Sequence, residues 1–151
     1  MKLVDLEARR LLLESAGLSI LDPAWSGQAP TPMAAWLPII SGSATPTARV
    51  RIQEEGRHLP EVEGKWRDIA ESSALFGERG EFLISVAGKG AATAPWALVR
   101  RTPEMALAQR IASVGGEPEF VAMSVDGRVV CGVTPEEYDV WIVAELMDQP
   151  R

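Results

Sequence analysis

The chain has little of what most enzymes and secreted proteins display. It holds one cysteine, Cys131, in 151 residues, so no internal disulfide can form. That usage suits a reducing compartment, and a cytoplasmic setting is the expectation. It has one histidine, His58, in the turn sequence EEGRHLPE. Zinc sites draw on several His, Cys or carboxylate ligands, so His58 reads as a solvated turn residue and no metal is expected. No apolar run approaches the ~20 residues of a membrane span. The N-terminal MKLVDLEARRLLLESAG mixes acids among its leucines and lacks a signal-peptide cleavage pattern. There is no basic excess either. A net charge of −6 and a pI near 4.9 argue against general nucleic-acid affinity, which comes mainly from neutralising phosphates.

What remains is ordinary for a globular protein: 46% hydrophobic and 24% charged residues, enough chain for one domain spanning 1–151. The expected fold is α+β. It is a mostly antiparallel β-sheet of about five to seven strands, with two or three helices and an irregular N-terminal arm packed on it. Helices are expected at 2–16, with Val4, Ala8, Leu11, Leu12 and Ser15 on one face, at 63–76, and from Thr102-Pro103 to Gly115. Thr102 would be the N-cap of the last. Strands are expected at 18–21, 48–54, 81–87 and 96–101. Between them, 22–47 carries Pro23, Pro30, Pro32, Pro38 and Pro46 together with Trp25 and Trp36. It reads as an ordered but irregular arm packed on the body.

The most informative stretch is 117–147, a three-stranded acidic meander. Asp126-Gly127 between two β-branched runs predicts a two-residue type I′ hairpin. It would pair Met123 with Val130, Ala122 with Cys131, Val121 with Gly132, and Phe120 with Val133. Both faces of this hairpin are apolar, so it should be central and covered on both sides. Thr134-Pro135-Glu136-Glu137 then turns the chain into an alternating strand, with Tyr138, Val140, Ile142, Ala144 and Leu146 on one face. Glu137, Asp139, Trp141, Val143 and Glu145 are on the other. Residues 117–151 hold eight carboxylates and two arginines, hence the whole net charge of −6.

That charge carries the functional expectation. An indole among carboxylates suits a basic protein partner, because interface energy concentrates on Trp, Tyr and Arg and like-signed charge speeds capture. The candidate partner-binding residues are Glu136, Glu137, Asp139, Trp141 and Glu145. The opposing reading makes Trp141 core and the carboxylates an edge-strand guard. In size and charge the chain is similar to small acidic immunity proteins that neutralise a toxin, though it shares no motif with them. Two other classes stand beside this one. One is a small enzyme with a dispersed site of carboxylates and Arg100 or Arg101. The other is an assembly subunit of a phage or secretion apparatus, joined through the apolar hairpin. No catalytic residue and no cofactor is indicated. Cys131, in an apolar strand, reads as an inert buried thiol. GKGAAT at 88–93 departs from a phosphate-binding loop, since Pro95 and a strand follow it.

Overall fold

The computed structural model describes residues 5–40, 45–88 and 90–147. Among them lie four α-helices and seven strands. In chain order these are α1 (Leu6–Ser15), β1 (Leu18–Trp25), α2 (Pro32–Ile40), β2 (Ala48–Arg51), α3 (Leu59–Ser72), β3 (Glu81–Val86), β4 (Trp96–Arg101), α4 (Leu107–Gly115), β5 (Phe120–Met123), β6 (Val129–Pro135) and β7 (Asp139–Leu146). The strands form one antiparallel sheet in the order β1-β4-β3-β5-β6-β7-β2. The fold is α+β, with α1, α3 and α4 on one face of the sheet and α2 on the other.

The central hairpin follows from its own sequence. Phe120 pairs with Val133, Val121 with Gly132, Ala122 with Cys131 and Met123 with Val130. Phe120, Ala122, Cys131 and Val133 enter the core under α1, α3 and α4, whereas Val121, Met123 and Val130 enter the core under α2. Both apolar faces are therefore covered by the chain itself, which leaves no apolar hairpin face open for subunit assembly. The turn is not type I′. Gly127 has φ +75°, but Asp126 is not among the positive-φ residues. Instead Gly127 N donates to Ser124 O at 2.8 Å, and the connection is wider. Ser124 explains this. Its Oγ accepts from Val129 N and Arg128 N and donates to Asp126 Oδ1 at 2.6 Å, so side-chain bonds replace the tight backbone turn.

The helical face is built around Trp66 of α3, which is fully buried. Its ring meets Phe76, Phe82 and Phe120 at centroid distances of 5.9, 6.1 and 5.2 Å, and its indole donates to Cys131 O. The helix boundaries correct the sequence reading in three places. First, α3 runs from Leu59 to Ser72 and ends on Ala74, where 63–76 was expected. Ala74 takes φ +62°, while Leu75 N donates to Ala70 O and Ala74 N to Glu71 O. These are the paired bonds of a Schellman cap, with Leu75 buried as its apolar clasp.

Second, α4 begins at Leu107 and its N-cap residue, Ala106, offers no side-chain acceptor. Thr102 caps only the turn before it, through Glu104 N. Glu63 of α3 supplies the missing cap, its Oε1 accepting from Ala108 N at 2.6 Å. Third, α1 buries Arg9 and Leu13 and leaves Leu11 55% exposed. Arg9 donates to Pro95 O and Pro23 O at 2.8 and 2.7 Å, which ties α1 to the sheet by hydrogen bonds where the sequence pattern suggested only an apolar stripe. Val4, placed on that stripe, lies outside the described residues.

The proline-rich segment is packed on the body, as expected, but it is not wholly irregular. Pro32–Ile40 forms α2, with Ala35, Trp36 and Ile39 buried. Trp36 Nε1 donates to Ser85 Oγ, and Trp96 Nε1 to Pro30 O, both at 2.9 Å. Gly132 makes the close approach possible, since a Cβ there would come within 3.0–3.1 Å of Ile39. The prolines masked the helix because Pro32 fits a first helical position while Pro38 sits inside.

Candidate functional site

Three helices close one face of the sheet. The other is covered mainly by α2 and Trp25 and Trp96, and the acidic residues gather beyond the end of α2. Residue register places them. Phe120 pairs with Val133, so Glu119 lies beside Thr134; Thr134 pairs with Trp141, and Trp141 with Arg49 of β2. This makes a row across four strands of carboxylate, hydroxyl, indole and guanidinium. At the end of the row, Glu136 N donates to Asp139 O at 2.7 Å and closes the β6–β7 turn. Glu137 and Tyr138 project from its tip, with Tyr138 67% exposed rather than on the apolar face.

Of the five residues singled out from sequence, the fold brings together Glu136, Glu137, Asp139 and Trp141 and sets Glu145 apart. Glu145 shares the face of Trp141 but lies opposite Val130, four positions and about 13 Å further along the strand. Two features of the expected acidic ring are corrected. The Arg49 guanidinium stands over the Trp141 ring, 5.3 Å from its centroid, so the indole faces a cation on one side. In addition, β7 is not an edge strand. Its outer side pairs with β2 over Ala48–Arg51, so the carboxylates do not guard an open edge there. The open edges belong to β2, short and bearing exposed Arg49 and Arg51, and to β1, broken by Pro23 and two register shifts.

Thr134 links two of the acids. Its buried hydroxyl donates to Glu136 Oε2 at 3.2 Å and lies in hydrogen-bond reach of Glu119. Burial, followed by the negative charge of Glu117, pushes the Glu119 carboxyl above its ordinary range; the bond to Thr134 works against this, and Glu136 adds to it. Glu119 also lines a pocket of about 220 Å³ with Trp36, Ile40, Ala87, Ala91 and Ala92. Sequence reasoning counted Glu119 among the acids but did not find this pocket. Its walls come from α2, from the start of the β3–β4 connection and from the start of β5, segments far apart in the chain.

The other candidates separate from this site. Arg100 and Arg101, expected together, point to opposite faces. Arg101 donates to Glu71 Oε1 at 2.7 Å and stacks 4.0 Å over Phe76 on the helical side. With Arg67, Thr102, Pro103 and Met105 it lines a cleft of about 300 Å³. There Arg67 donates to Met105 O at 2.8 Å, and the N-terminus of α4 is already held by Glu63. Burial pushes the Glu63 carboxyl up, opposed by its bonds to Ala108 and Leu107 N–H and by Arg67. Arg100 lies on the α2 side between Ser19 and Glu81, and its Nε has no hydrogen-bond partner. Neither arginine reaches the acidic meander, from which β3 separates them.

His58 is buried, not solvated; its Nδ1 accepts from Gln53 N at 3.1 Å and braces the turn into α3. Among the described residues no three His, Cys, Asp or Glu side chains converge as a metal site. Burial pushes the Cys131 thiol up to about 12, away from nucleophilic chemistry. The 88–93 loop is a series of turns, with Ala91 N donating to Gly88 O and Ala94 N to Gly90 O, and it leads into β4. Its Lys89 lies outside the described residues.

The architecture thus defines an α+β domain whose open sheet face carries an acidic, Trp-containing row, and among the described residues no helix is long and apolar enough to cross a membrane. No family model, curated protein or solved structure matches the chain.

Proposed function

We propose that the chain is a non-catalytic protein-binding protein that occupies a basic surface of its partner. It would be most like a small acidic immunity protein that blocks a toxin or enzyme. The observation that carries this reading is the gathering of Glu117, Glu119, Glu136, Glu137 and Asp139 at one end of the sheet, beside a half-buried Trp141. An acidic turn next to an aromatic anchor suits fast capture of a cationic partner, with the indole supplying a concentrated share of the affinity.

The test uses the purified chain as bait against each basic product of the neighbouring reading frames. One product should bind at low salt and be released at high salt. Trp141→Ala should weaken it by about 2 kcal/mol, and E136Q/E137Q/D139N should slow association more than it speeds dissociation. Capture that is indifferent to salt and to both variants would remove the reading. The enzyme class retains one observation in its favour, the pocket at Glu119, and metabolite screening addresses it.

A further inference from the structure

The α2 side of the sheet holds a second feature that the acidic turn does not explain. α2 contains no charged residue, and its outer side shows Met33, Leu37 and Ile40, each about half exposed. At its C-terminal end the pocket of about 220 Å³ opens between Trp36, Ile40, Ala87, Gly88, Ala91 and Ala92, with Glu119 as the only ionisable lining group among the described residues. Its volume falls below the ~300–1,000 Å³ of sites for drug-sized ligands. It fits a group the size of one side chain. Its lining among the described residues is apolar side chains and Gly88 apart from the Glu119 carboxylate, which has two further acids, Glu117 and Glu136, near enough to act on it.

A carboxylate in such a place is costly as an anion without a counter-charge. No salt bridge to Glu119 occurs among the described residues. The complementary occupant has an apolar stem that lies on Trp36 and the alanines and a cationic head that meets Glu119.

We propose that this pocket is a binding site for an ammonium or guanidinium group carried on a short apolar stem. This goes beyond the protein-binding reading, because it concerns a defined small site on the chain alone. It holds whether the group belongs to a free amine or to a Lys or Arg side chain. Binding draws on the ionised Glu119, so uptake of the cation displaces a proton wherever Glu119 is protonated, and affinity rises with pH through its titration.

The test is an NMR titration of the isolated chain with n-butylammonium and with Nα-acetyl-lysine methylamide, using 1-butanol and butyrate as neutral and anionic controls. Shifts should concentrate on the Trp36 indole and the Ala87, Ala91 and Ala92 amides. The cations should bind about tenfold or more tightly than butanol, the range of one hydrogen bond to a charged group, and butyrate should not bind. E119Q should remove that preference. Ala92→Leu, which fills the pocket without touching charge, should weaken all binding and guards against an E119Q chain that fails to fold. Tighter binding of the capped lysine than of butylammonium assigns the site to a peptide side chain, and the reverse assigns it to a free amine; both support the proposal. Butanol binding as tightly as the cations, unchanged cation binding in E119Q, or shifts scattered over the acidic turn would each overturn it. None of these outcomes depends on a protein partner being found.

Discussion

The two faces of the sheet use tryptophan in opposite ways. Trp66 is sealed under α3, with three phenylalanine rings around it and its N–H satisfied by a backbone carbonyl. Trp141, on the sixth strand of the sheet order counted from the β1 edge, packs on apolar neighbours and carries Arg49 over its ring. The difference teaches that coverage, not residue type, separates core from surface here. Three helices close one face, whereas nine residues of α2 cannot span seven strands on the other. The uncovered remainder is where charge, an indole and a pocket coexist.

That contrast can be broken most directly by truncating the two rings. Trp66→Ala should cost about 3–5 kcal/mol of stability, as expected for a buried Trp, in urea unfolding. Trp141→Ala should cost the free protein clearly less. Equal losses would mean that both faces are core and that the open face is an illusion of the fold.

A smaller effect tests whether the helical face is as well settled as it looks. Ala74 holds a left-handed conformation at the α3 cap that glycine adopts without a Cβ penalty. Ala74→Gly should therefore raise the stability by about 1 kcal/mol, seen as a higher unfolding midpoint. A lower midpoint would show that the extra backbone entropy glycine gives the unfolded chain dominates.

The smallest expected effect is a pH slope, and it probes both faces together. Glu63 under the helices and Glu119 in the pocket both have carboxyls raised above the ordinary 4.5. The folded state then holds more protons than the unfolded chain just above that pH. Their contribution to stability is complete below 4.5 and is lost as pH rises through the raised values. Urea midpoints measured from pH 4 to 7 should show this fall, and E119Q should flatten part of it. A slope unchanged by E119Q would place the effect on Glu63 alone.

Much of this was legible in the chain. The β3 and β4 strands, the pairing of Phe120 through Met123 with Val130 through Val133, and a strand starting at Ala48 all follow from alternation of period two. So do the covered hairpin and the inert Cys131. The likeness of EFLISVAG at 81–88 to EFVAMSVDG at 119–127 also has a structural counterpart: α3-β3-β4 and α4-β5-β6 are matching helix-then-hairpin units, and β3 and β5 lie side by side. Less was legible where long-range bonds replace local ones. Glu63 caps α4 across 45 positions, and Arg9 reaches carbonyls on two distant segments. Ser124 reshapes a turn that Asp-Gly alone would have made tighter.

The α+β class, the central hairpin and the concentration of net charge in residues 117–151 are written locally in the chain, because propensity, alternation and charge are local properties. Which carboxylates share a surface depends on strand register and packing. Strand register brought Glu119, Thr134, Trp141 and Arg49 into one row and sent Glu145 along the strand. The packing of α2 against Gly132 left a pocket beside Glu119. Both depend on contacts between segments far apart in the chain, and no single stretch of sequence records them.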